Sequence, residues 1–283
     1  MDVAAFLQRI GLDRTPAGPS VEGLFALQRA YVDAVPYETV QYQFGGGAPL
    51  DPSAVAARMV AGESGGYCFQ LNGVFALLLE SLGYRVTMHR GGVQVGSAAA
   101  HADGTHLVLT VDGLPEDPAQ VWLVDPGLDD GFYEPVPLVA GSTWQAPYEL
   151  TLRRSDVVDG WRLDHDPRSS LVGMDFEDAP ARLEDFAAQH ARLSTSSESP
   201  FVKVCLAFRR RPESLVSLRS RALTEVFADR VERVVLDGPG EYFEVLADVF
   251  RLPLPQLGAR EREQLWRRVE GQYERYLGRT LVV

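Results

Sequence analysis

Up to about Tyr84 the apolar residues recur at helical spacing; beyond it they alternate with polar ones, and near the C-terminus the helical period returns. Residues 2–10 predict a short helix, 15–19 a turn, and Ser20 a cap for a second helix over 21–34 that Pro36 ends. After the glycine run 45–47, residues 51–61 read as a third helix. Phe69, Phe75, Leu78, Leu79 and Leu82 mark a fourth, with Gly83 as its stop. Strands are predicted over 85–95, 106–111, 121–125, 148–152 and 161–163, separated by Gly, Pro and Asp turns. A short helix over 183–190 and a polar run over 194–199 lead to strands around 203–208, 215–219 and 231–236. Helices over 238–250 and 259–276 close the chain, the last alternating Arg and Glu as a solvated face does. The pattern is α+β: about four helices, an antiparallel sheet or barrel, then a mixed C-terminal part.

Composition narrows the partners more than the fold. A length of 283 residues with 46% hydrophobic content suits two domains or one large one. A net charge of -12 argues against a nucleic-acid partner, whose binding protein would present a basic footprint. No apolar run approaches the roughly 20 residues that span a bilayer, and no basic segment precedes a hydrophobic N-terminal stretch, so a cytoplasmic protein without a membrane partner is expected. Two cysteines make no disulfide framework, and Cys205, in a predicted strand over 202–208, reads as core. No glycine-rich nucleotide motif ending in Gly-Lys-Ser or Gly-Lys-Thr occurs, and no cysteine pair or histidine cluster, so neither ATP nor metal is expected.

Cys68 carries the candidate chemistry. It follows Gly65-Gly66-Tyr67 and opens the fourth predicted helix, where unpaired N–H groups and the helix dipole favour the reactive thiolate. The two glycines would let an acyl group approach the backbone. Cysteine also fills cores as a small hydrophobe, and the local stretch leaves both readings open. Of the five histidines only His106 is well placed by the sheet. If Val111 faces Gln120 at the base of a hairpin, His106 faces Asp125 directly, Cβ atoms roughly 5 Å apart. A slip of one residue would separate them. A carboxylate on one imidazole nitrogen frees the other to take a proton from the cysteine, giving a nucleophile, its base and the base's orienter. A core histidine and a turn aspartate ahead of Pro126-Gly127 are the alternatives.

Val35-Pro36-Tyr37-Glu38, Gly65-Gly66-Tyr67-Cys68-Phe69-Gln70-Leu71-Asn72, His106 opening a strand, and Val124-Asp125-Pro126-Gly127-Leu128 resemble, in that order, the arylamine N-acetyltransferase family, which includes macrolactam-forming amide synthases. The stretch from His190 through Ser194, Ser196, Ser197 and Ser199 to Phe201 resembles the opening of that family's third domain. The resemblance implies an N-terminal helical bundle (1–84), a central antiparallel β-barrel (85–200) and a C-terminal α/β lid (201–283), with a Cys68–His106–Asp125 triad between the first two. It implies transfer of an acyl group from a thioester, acyl-CoA or a carrier-protein-bound chain, through Cys68 to a small-molecule amine. No tightly bound cofactor is expected, and an acyl carrier protein is a candidate partner. A hydrolase or transglutaminase-like enzyme would use the same triad, and a binding protein retaining the fold would leave Cys68 unreactive.

Four positions depart from the family's pattern: Ser64 for Arg, Gln70 for Glu, Pro126 for Val, and Leu128 for Phe. Glu38 thereby loses its expected Arg partner, and a buried acid without a partner costs several kcal/mol unless it is protonated, rebound or exposed. Leu128, Ser64 and Phe69 are the expected substrate-binding residues. Lost side-chain volume at Ser64 and Leu128 predicts a cleft for a substrate bulkier than an acetyl group or a simple arylamine, in specialised biosynthesis.

Overall fold

Asp2, Ser20 and Asp51 each accept the backbone N–H of the residue three positions on, and each opens a helix: α1 (Val3–Arg9), α2 (Val21–Ala34) and α3 (Pro52–Val60). Each cap satisfies a donor the helix leaves open, worth about 1 kcal/mol. The computed structural model describes every residue except Thr15, Ala17, Gly46, Ser170 and 281–283. The predicted turn at 15–19 and glycine run at 45–47 therefore lie partly outside the described residues. α4 (Cys68–Ser81) is apolar nearly all round and is buried accordingly. Gly83, at φ +88, supplies the left-handed turn beyond its end.

The middle of the chain forms a nearly closed antiparallel barrel. Its strands are β2 (Arg85–Val95), β3 (His106–Asp112), β4 (Trp122–Val124), β5 (Val136–Pro137), β6 (Gly141–Gln145), β7 (Tyr148–Arg154), β8 (Gly160–Asp164) and β9 (Leu171–Ala181). They follow the order β5-β4-β3-β2-β9-β8-β7-β6. α4 packs on β2 and β3, so β3 is covered on both faces and reads as continuous apolar sequence. β9 has no predicted counterpart, because Gly173 and Asp175 break its apolar pattern. Asp175 is nevertheless buried, paired with Arg162 at 2.6 Å and accepting the Ser155 hydroxyl at 2.7 Å.

A 3₁₀ turn (Leu183–Phe186), α5 (Ala187–Thr195) and α6 (Pro200–Lys203) lead to a second sheet. The strand expected from 203 starts only at β10 (Leu206–Arg210), because Ser199 caps α6 ahead of it and Cys205 precedes the strand. β10 pairs with β11 (Ser214–Arg219), then β12 (Ala222–Phe227), then β13 (Val231–Val235). β12 was likewise not expected. The free edge of β10 takes β1 (Tyr37–Glu38) from the N-terminal part, with Tyr37 opposite Phe208 and Glu38 opposite Ala207. α7 (Pro239–Asp248) and α8 (Ala259–Thr280) cover this sheet through Tyr242, Leu246, Trp266 and Val269. No helix among the described residues is long and apolar enough to cross a membrane.

Candidate active site

Tyr67 precedes α4 in an extended conformation, with no side chain capping the helix. No capping side chain competes for the first N–H groups of the helix, those of Cys68 and Phe69, while Gln70 donates its N–H to the Tyr67 carbonyl at 2.9 Å. Cys68 is the first helical residue, 4% exposed, with Sγ 3.7 Å from the Thr105 carbonyl oxygen. His106 follows Thr105 as the first residue of β3. Its Nε2 lies 2.8 Å from Asp125 Oδ2, and His106 and Cys68 line the same cavity. With Nε2 committed to Asp125, Nδ1 is the nitrogen that remains for the sulfur. Burial acts to lower the imidazole's pKa, but Asp125 and then Cys68 outweigh it and push His106 up to about 10.

The pair forms in a register other than the expected one. Val111 faces Trp122 rather than Gln120, and Leu109 faces Val124. A slide of two residues keeps every side chain on its own face, so His106 and Asp125 meet diagonally instead of directly across.

Asn72 completes the arrangement. Its Nδ2 donates to Asp125 Oδ1 at 2.6 Å and to the Leu107 carbonyl at 2.5 Å, while its Oδ1 accepts the Gly127 N–H at 2.8 Å. One amide thus ties α4, β3 and the turn after β4 together. No role was read for it in the sequence, although it stands four residues after Cys68 and so on the same helix face.

The glycine pair serves another purpose than access for an acyl group. A Cβ on Gly65 would overlap the Pro36 carbonyl oxygen, and Gly66 bridges Tyr37, accepting the Glu38 N–H at 2.8 Å. The space in front of the glycines is filled by the Pro36–Glu38 backbone.

A cavity of about 490 Å³ opens over Cys68, walled by His106, Leu128, Asp129, Phe201 and Arg219 among others. Of the three expected substrate-binding residues only Leu128 lines it. Ser64 is buried, and Phe69 packs its ring against Tyr67, Phe186 and His190. A groove of about 620 Å³ past Lys203 and Arg268 on α8 contains no triad residue. Cys205 is buried with Sγ 3.5 Å from the Tyr242 hydroxyl, and burial pushes its thiol up to about 12. No group of three or more His, Cys, Asp or Glu among the described residues could hold a metal ion.

A family profile described as N-acetyltransferase matches residues 20–258. The chain belongs to the arylamine N-acetyltransferase family. It is similar to the arylamine N-acetyltransferase of Mycolicibacterium smegmatis, 28% identical over 92% of this chain and 95% of that one. It is also similar to proansamycin X synthase of Amycolatopsis mediterranei, 32% identical over 57% of this chain and 61% of that protein. The Mycobacterium marinum arylamine N-acetyltransferase solved in complex with CoA superposes with a TM-score of 0.84 at 26% identity, covering 95% of this chain and 98% of that one. Family membership makes the protein an acyltransferase.

Two departures from the family's usual residues fall in one buried region. Glu38 is rebound rather than left alone: it accepts N–H groups from Val40 at 2.5 Å and Gly65 at 3.1 Å. Burial raises its pKa, with those two N–H groups and Arg58 opposing. Gln70 accepts from the Tyr42 hydroxyl at 2.9 Å and from Gln41 at 3.1 Å, and donates to the Pro49 carbonyl at 2.9 Å. Losing the family's Arg at Ser64 and one acid at Gln70 leaves a single carboxyl for the backbone to satisfy.

Proposed function

We propose that the protein transfers an acyl group from a thioester to an amine through a thioester on Cys68, with His106 and Asp125 as the other triad members. The observation that carries the reading is Cys68 on the cavity wall together with His106, whose imidazole Asp125 holds at 2.8 Å. With its pKa near 10, His106 is protonated at neutral pH and stabilises a thiolate beside it. The sulfur attacks the donor's carbonyl carbon, the donor's C–S bond breaks, and the leaving thiol takes the proton from His106. The neutral imidazole then accepts a proton from the amine as its nitrogen attacks the acyl-Cys68 carbon and the second C–S bond breaks. Thiolate, imidazolium and amide result. The uncapped N-terminus of α4 supplies donors for the oxyanion of each step.

The donor class is an acyl-CoA or a carrier-bound chain. A relative solved with CoA supports the first, and similarity to proansamycin X synthase over part of the chain supports the second. A cavity of about 490 Å³, within the usual range for organic ligands, supports a substrate bulkier than acetyl. Leu128 lines the cavity and Ser64 does not, so the extra room comes from Leu128 alone. The test is catalytic efficiency for acetyl-CoA against longer acyl thioesters at one fixed amine, then with the amine varied. A longer donor or bulkier amine should be preferred at least threefold. If acetyl-CoA with a simple arylamine is the best pair in both series, the bulky-substrate reading fails.

A further inference from the structure

The turn after the triad acid carries two adjacent aspartates with opposite surroundings. Asp130 faces the barrel: one carboxylate oxygen accepts the Ser169 hydroxyl, the other lies 3.6 Å from His165 Nε2 without a hydrogen bond, and its main-chain oxygen lies 2.9 Å from the same nitrogen. Asp129 lies instead on the cavity wall with Cys68 and Leu128. One of its oxygens, Oδ1, accepts the Asp130 N–H at 3.0 Å, which fixes the carboxyl against the turn beside the cavity. The triad mechanism makes no use of it.

The rest of the wall restricts what such a carboxyl can meet. Arg219 comes from β11, stacked on the Phe208 ring at 4.9 Å, and Arg192 from α5. The segment before β3 contributes His101 and Asp103, paired with each other at 3.0 Å. Arg192 and Arg219 face Asp103 and Asp129 while His106 is paired with Asp125, so the wall is mixed in charge and a cationic substituent gains no net attraction, whereas a neutral hydrogen-bond donor can still pair with a carboxyl. We propose that Asp129 is a specificity-determining residue for the acceptor: it accepts a hydrogen bond from a hydroxyl on the amine substrate, so hydroxylated arylamines are preferred to equally large ones without a donor. The proposal rests on the reading of the cavity as the acyl-transfer site. Burial and then Asp130 push the Asp129 carboxyl up to about 7, with Arg219 opposing, and a hydroxyl donor favours its ionised form. Leu128 beside it offers an apolar side to the ring of the same acceptor.

Aminophenols and the matching methoxyanilines differ in little but the donor. Their dissociation constants are to be measured by calorimetry or NMR on the full chain carrying Cys68→Ala, with and without Asp129→Ala, so that no chemistry intervenes. The aminophenol should bind at least about tenfold tighter to the parent, as a hydrogen bond to a charged group allows, and the ratio should fall to near one with Asp129→Ala. Asp129→Asn, which keeps the shape, should show a smaller drop and serves if the alanine variant does not fold. An unchanged thermal unfolding midpoint separates loss of recognition from loss of structure. A ratio near one in the parent, or one that survives replacement of Asp129, overturns the proposal whether or not Cys68 is acylated. Failure of the thioester reading shows separately, as the absence of an acyl adduct on Cys68 in the otherwise unaltered protein.

Discussion

Asn72 and His106 hold the two oxygens of Asp125 from opposite elements, which leaves that carboxylate one orientation. Asp125→Asn keeps the shape but removes the charge that outweighs burial at His106. We expect acyl transfer to fall a hundredfold or more with the unfolding midpoint little changed. A loss below about tenfold, worth only about 1.4 kcal/mol, in a folded variant contradicts the triad. The raised pKa of His106 also has a stability consequence. A folded value near 10 against an ordinary 6.5 means the native state holds this proton more tightly, so the stabilisation is complete below about pH 6.5 and lost as pH rises through about 10. The gap in urea midpoint between the unaltered protein and His106→Asn should therefore shrink from pH 6 to pH 10; a constant gap contradicts it. The pairing of His106 with Asp125 was legible in the sequence because the two strands that carry them could be placed side by side. Asn72 was not, because the role of one amide in an apolar helix shows only once the fold gives it neighbours.

The entry to α4 is built as much by Pro36–Glu38 as by the helix itself. Because a methyl at Gly65 meets the Pro36 carbonyl, Gly65→Ala should cost about 1–3 kcal/mol by overpacking, and should weaken acyl transfer by moving Cys68. Urea unfolding and activity on the same preparation check it, and an unchanged midpoint would show that the segment yields. The helices of the N-terminal part were legible because side-chain caps and Gly83 mark their ends. Strands that obey alternation were legible too. β9 was hidden because its buried acid is satisfied by Arg162, a partner that exists only once β8 lies beside it. β5 spans only Val136–Pro137, too short to show a period. The His106–Asp125 prediction survived a wrong register because the error was two residues, the strand's own repeat.

At the scale of the whole molecule, one hydrophobic core runs without a break from the N-terminal helices through the barrel, and a second lies between the C-terminal sheet and α7 and α8. The first core also takes in Leu206, Phe208 and Leu215 of the C-terminal sheet, and Val40 of the N-terminal part packs in the second, so the expected division at residues 84 and 200 stands as a proposal. β1 belongs to the last sheet although it comes from the first part of the chain, a long-range pairing that no local pattern announces. The same organisation sets the two cysteines apart: Cys68 lines the cavity, while Cys205 sits in the second core with Tyr242. The central claim is that acyl transfer passes through Cys68, and the most direct test is intact and peptide mass after brief exposure to an acyl thioester, followed by addition of an amine. The account predicts a single acyl adduct on the Cys68 peptide that disappears on adding the amine as the amide forms. An adduct on Cys205 alone, or amide formed at full rate by Cys68→Ala, would contradict it.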